Sequence, residues 1–104
     1  MASEVYIGMV GVVPILGSDL LGDAKGAYVN VLALASEPQD YEAGVRRALE
    51  DLGLSPFEFE DVEPFVKRAS QRILEEHLHV LALEVSESGQ VRFATFHTFN
   101  NVDA

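Results

Sequence analysis

Histidine is the side chain best suited to acid–base work near neutral pH, and this chain has three: His77, His79 and His97. His97 sits in Ala94-Thr95-Phe96-His97-Thr98-Phe99, between two threonines on an aromatic stretch. There it could act as a general base oriented by Thr95 or a glutamate. Tyr28, Tyr6 and Asn30 become its neighbours if the two N-terminal strands lie close to it. The plainer reading is a satisfied histidine on a half-buried sheet face. His77 and His79 are two residues apart. On a strand they would share a side and could hold a metal with a carboxylate. On a helix they point about 200° apart, which defeats chelation. The helical reading is favoured for this segment, so no metal site is expected.

Carboxylates are the other abundant chemistry. Glu50, Asp51, Glu58, Glu60, Asp61 and Glu63 fall in one stretch, and no Lys or Arg lies between Arg47 and Lys67. Glu58, Glu60, Asp61 and Glu63 are the candidate contacts for a basic partner protein, since clustered charge steers association. The competing reading is a solvated edge that resists aggregation, neutralised by Lys67, Arg68 and Arg72. Gly17-Ser18-Asp19-Leu20-Leu21-Gly22-Asp23 superficially resembles a phosphate loop. Asp23 stands where such a loop needs Lys, and Ala24 where it needs Ser or Thr. No nucleophile elbow, zinc-protease motif or cofactor fingerprint occurs. No cofactor is expected.

Length and composition limit the scaffold that carries these groups. The chain has 104 residues, 48% of them hydrophobic and 23% charged, which fits one globular domain over 1–104. The net charge is −10, from seventeen acids against seven Lys and Arg. That balance speaks against nucleic-acid phosphates and against anionic membrane surfaces. There is no cysteine, so disulfides and thiolate sites are excluded. The first basic residue is Lys25, and the longest apolar run, Val5 to Leu16, is broken by Gly8, Gly11 and Pro14. Neither a secretory signal nor a membrane span is expected, and a cytoplasmic setting fits.

The elements read as follows. Val5 to Val13 is a β-branched strand ended by Pro14, followed by a glycine-bearing loop over 16–26. Ala27 to Ala35 is a central strand, with Tyr28, Asn30, Leu32 and Leu34 on one face and Val29, Val31, Ala33 and Ala35 on the other. Ser36 and Gln39 make a capping box for a helix over 37–52, whose buried stripe is Tyr41, Val45, Ala48, Leu49 and Leu52, and Gly53 stops it. Pro56 to Val62 is an edge strand with Phe57, Phe59 and Asp61 opposed to Glu58, Glu60 and Val62. Pro64 opens a helix with one stripe at Phe65, Ala69 and Ile73 and another at Leu74, Leu78, Leu81 and Val85, breaking near Arg72. Residues 78–85 also fit a strand, and the Leu, Ala and Glu content favours helix. Gln90 to Phe99 is a final strand with Phe93, Thr95, His97 and Phe99 on one face, and a polar tail follows.

The order β-β-α-β-α-β predicts an α+β two-layer sandwich, ferredoxin-like in general style, with both helices on one face of a mixed, mostly antiparallel sheet. Such folds host many functions. The leading functional expectation is a non-catalytic interaction domain, a homodimer or other homo-oligomer formed through an exposed sheet face or edge. An immunity-type inhibitor of a basic protein is the second, and a small enzyme or ligand-binding protein using His97 is the third.

Overall fold

Runs of β-branched and aromatic residues build the sheet close to where the sequence puts them. The computed structural model describes residues 3–15 and 19–100; positions 16–18 of the expected loop and 101–104 of the expected tail lie outside them. Strands β1 (Glu4–Pro14) and β2 (Gly26–Ala35) pair as a long antiparallel hairpin, from Glu4 opposite Ala35 to Val12 opposite Ala27. Helix α1 (Pro38–Asp51), strand β3 (Leu54–Pro64), helices α2 (Phe65–Gln71) and α3 (Glu76–Ser88), and the short strands β4 (Arg92–Phe93) and β5 (His97–Phe99) follow. The strand order is β3-β1-β2-β4, with β5 also on β2, and every described pairing is antiparallel. The fold is therefore α+β with an antiparallel five-stranded sheet. The predicted order is corrected by a divided second helix and a divided last strand. No helix among the described residues is long and apolar enough to cross a membrane.

The helices do not share a face, contrary to the two-layer expectation. Residues paired across an antiparallel ladder point to the same side. Tyr6, Val10 and Val12 of β1 and Val29, Val31 and Ala33 of β2 therefore form one face, and they pack with Tyr41, Val45 and Leu49 of α1. Ile7 and Leu32 point the other way, into a second core with Phe65 of α2 and Leu78, Ala82 and Val85 of α3. The result is three layers, with a sheet buried on both sides at its centre. Burying Ile7 and Leu32 completely is worth roughly 1.5–3 kcal/mol each, so helices on both faces satisfy what a single layer would leave wet.

Local signals explain most boundaries. α1 starts one residue later than a Ser36 cap implies: Glu37 is the cap residue and makes no side-chain cap bond. Asp40 instead reaches back, accepting from the Ser36 hydroxyl and from its backbone N–H at 3.4 Å. Gly53 and Gly89, both at φ 75°, end α1 and α3. The helical choice for 78–85 agrees with α3, and the helix break falls at Arg72, which is extended. Two irregularities, between Ile7 and Met9 and between Gly11 and Val12, interrupt the β1–β3 ladder. At the first, Asp61 adopts φ 54°, the left-handed conformation that Asp tolerates better than most residues. At the second, Gly11 pairs with Glu58 and Val12 with Pro56, so Phe57 is the extra residue of a bulge.

Candidate functional site

The alternation expected for the last strand fails between its two pieces. Phe93 pairs with Val31 and faces α1, while His97 pairs with Tyr28 and faces the α3 side. Residues 94–96 make the switch, and the Ala94 amide donates to the Asn30 carbonyl at 2.9 Å. Phe96 stacks on Phe93, with ring centroids 6.0 Å apart. Phe93 and His97 thus lie on opposite faces, and so do Phe57 and Phe59. Phe59 packs against the α1 core under the Arg46 guanidinium, which lies 5.1 Å from the ring centroid.

His97 is exposed and looks into an open concavity of about 120 Å³ beside the start of α3. Asn30, Glu75, His77 and Thr95 line the same space. Tyr28 is the cross-strand partner of His97. Tyr6 is on the other face, buried 6.5 Å from the Tyr41 ring, and cannot join them. His77 lies 3.4 Å from the Glu75 carboxylate, through Nδ1. His79 points elsewhere and meets Phe65 edge-on at 5.3 Å. Among the described residues no three His, Asp or Glu side chains converge as a metal site would require.

The acidic candidates divide into two groups. Glu63 is an internal group: it accepts from Arg68 Nε at 2.7 Å, and Arg68 Nη2 donates to the Asp61 carbonyl at 2.6 Å. The Arg68 side chain is buried and fastens α2 to the β3 irregularity. Glu58 and Glu60 are paired with Gly11 and Met9, so they face the α3 side of the sheet, beyond the reach of its helices. They sit close enough to hydrogen-bond each other, and that contact with the like charge raises the Glu60 pKa above the ordinary carboxylate range. No ion pair among the described residues involves Glu58, Glu60 or Asp61.

Two apolar surfaces are open to solvent, one on the sheet face the sequence expects to be exposed and one on the helical layer. Phe57, 49% exposed, makes a triangle with Tyr28 and Phe99, with centroids 5.8, 5.6 and 6.4 Å apart. Glycine is required beneath it. A Cβ on Gly11 would lie 2.6 Å from the Phe57 ring, and one on Gly26 would lie 2.6 Å from both the Phe99 ring and the Val12 carbonyl. The other surface is the outside of the helical layer. Val66 of α2 and Val80 and Leu83 of α3 are 69%, 50% and 59% exposed. Beside them an open groove of about 560 Å³ runs over Val5, Leu34, Phe65 and Ala82.

Compared with protein-family models, with curated proteins and with solved structures, the chain gives no match, so its functional reading rests on this geometry.

Proposed function

We propose that this chain is an interaction domain that assembles as a homo-oligomer, most simply a homodimer, through the outer surface of α2 and α3. The expected sheet-face or edge contact is thereby moved to the helical layer. The observation that carries the reading is α3 itself. It buries Leu78, Ala82 and Val85 inward and still presents Val80 and Leu83 outward. Large apolar side chains on the outward side of a helix whose inward side is already buried are surface that a packed setting would cover. Residues 77–83 contain no acid, in a chain of net charge −10. Glu76, Glu84 and Glu87 stand one turn from Val80 and Leu83, so an equally acidic second copy is held there by apolar contact against charge repulsion. A two-fold contact would place α3 against its symmetry mate, and a stable interface of this kind covers about 800 Å² per partner. The acidic, cysteine-free composition suits work in the cytoplasm, where no disulfide is needed.

Sedimentation velocity tests the assembly. Wild-type protein at about 50 μM is expected as a dimer, and Leu83→Glu or Val80→Glu as a monomer whose melting temperature matches that of wild type diluted until it too is monomeric, because both positions are exposed in the single chain. A wild-type protein that stays monomeric at that concentration sinks the reading.

One observation favours a second reading, a small polar ligand at His97: two imidazoles, the Glu75 carboxylate and the Asn30 amide face one concavity. Imidazole resonances of His77 and His97 moving together on addition of a small carboxylic acid would support it. Independent titration with no response to such ligands would remove it.

A further inference from the structure

The half of the sheet that α2 and α3 leave bare has its own composition. The pairing registers put Met9, Gly11, Tyr28, Asn30, Glu58 and Glu60 side by side on it. Phe57 and Phe99 lie over the two glycines, which leaves an aromatic triangle open to solvent. None of the strand residues on this surface is Lys or Arg, and Lys25 only borders it next to Gly26. Along its edge Glu58 and Glu60 hold like charges together with no cation beside them among the described residues.

This arrangement decides among occupants. A second copy would bring the same acids and double the repulsion. Phosphate-bearing polymers and anionic lipid meet the same objection. A Lys or Arg side chain satisfies both features: its aliphatic stem lies on the rings, its charge gains from their π faces, and its head reaches the two carboxylates. The β3 edge beside them does not suit strand addition, because two register shifts bend it. The partner must therefore lie across the face.

We propose that this aromatic and acidic half of the sheet docks a basic segment of a partner protein, one that places at least two Lys or Arg beside an aliphatic side chain. The surface is separate from the outer α2–α3 contact, and the inference stands whether or not the chain dimerises.

The test uses the full chain labelled with ¹⁵N and a synthetic peptide of alternating arginine and leucine, with spermine as a cation lacking the apolar component. The peptide is expected to shift the amides of Gly11, Gly26 and Asn30. The double variant Glu58→Gln/Glu60→Gln should weaken it about tenfold, as loss of a close charge pair does. Glu42→Gln/Glu50→Gln on α1, with the same change in net charge, should leave the affinity within about twofold, as remote surface charges do. Phe57→Ser should weaken it about fivefold or more, as truncating an aromatic anchor does. Thermal melting confirms that each variant is folded. The proposal is overturned by no binding up to about 1 mM, which is only −4 kcal/mol. It is equally overturned by equal losses in the two double variants, by shifts confined to α1, or by spermine binding as tightly as the peptide.

Discussion

Replacing Tyr41 by Phe tests whether α1 is locked to the sheet by one buried hydroxyl. Tyr41 is fully buried, and its hydroxyl donates to the Val31 carbonyl at 2.7 Å and lies 3.3 Å from the Gly8 carbonyl. Phe keeps the ring and opens almost no cavity, so the loss is nearly all polar. A buried hydrogen bond of this kind contributes about 1–2 kcal/mol, and orphaned carbonyls add to its removal. For a domain of this size each kcal/mol moves the melting temperature by roughly 4–8 °C, so a fall of about 5–15 °C is expected. Urea unfolding should show a lower midpoint at unchanged slope. The pH dependence gives a second reading of the same contact. Burial raises the Tyr41 pKa far above the ordinary phenol range. The folded state then holds a proton that the unfolded chain releases near pH 10. This stabilisation is complete below pH 10 and falls by roughly 1.4 kcal/mol per pH unit above it. Wild-type and variant stabilities should therefore converge as pH rises beyond 10. A Tyr41→Phe protein within about 0.5 kcal/mol of wild type, the scatter of ordinary surface changes, would refute the lock.

Three further perturbations separate the local arguments. Arg68→Met removes the buried cation between Glu63 and the Asp61 carbonyl. It should cost about 2–4 kcal/mol by urea unfolding, and adding Glu63→Gln should recover part of that loss. Glu60→Gln acts in the opposite direction. A carboxyl whose folded pKa is raised adds stability below its unfolded pKa and loses it as pH rises through the folded value. The variant should therefore melt slightly higher than wild type at pH 7 and equally at about pH 4 or below. Gly26→Ala should destabilise more than Gly11→Ala in the same melts. At Gly26 the new methyl meets the Val12 carbonyl as well as the Phe99 ring, whereas at Gly11 the obstacle is the half-exposed Phe57 ring, which can swing away.

Much of the scaffold was legible because single periods dominate it. Tyr41, Val45 and Leu49 at helical spacing, followed by Gly53, define α1 and its buried face. The two-faced division of β2 is as its alternation implies. The layer count was also present in principle: Ile7 and Leu32 are large and apolar on the face opposite Val10 and Val31, which requires cover on both sides. Three features broke the rule of alternation. The bulge at Phe57, the irregularity at Asp61 and the crossing at 94–96 each move downstream side chains to the opposite face. Asp61 is the only described residue other than glycine at positive φ, and no local sequence pattern marks that choice. The site was harder still. His97, Thr95 and Asn30 do share a concavity, but the helix break at Arg72 is what brings Glu75 and His77 to it. Val66, Val80 and Leu83 fell outside both predicted stripes, and that surplus was the available sign of an outward apolar surface.

The two surfaces are assigned different occupants on the ground of charge, and salt separates them. The outer α3 segment 77–83 has no acid of its own, but each copy carries −10 overall, so two copies approach against mutual repulsion. Raising the ionic strength shortens the screening length from about 14 Å near 50 mM to about 4 Å near 500 mM. Repulsion is weakened while apolar contact is untouched, so the dimer should tighten. At the other surface, Glu58 and Glu60 attract a basic segment, and the same screening removes part of that attraction. Peptide affinity should therefore fall over the salt range in which dimerisation rises. Sedimentation and peptide titration of one preparation at the two salt concentrations give both slopes. If both fall with salt, the assignment of the outer α3 surface to a second copy fails; if both rise, the assignment of the acidic face to a basic segment fails.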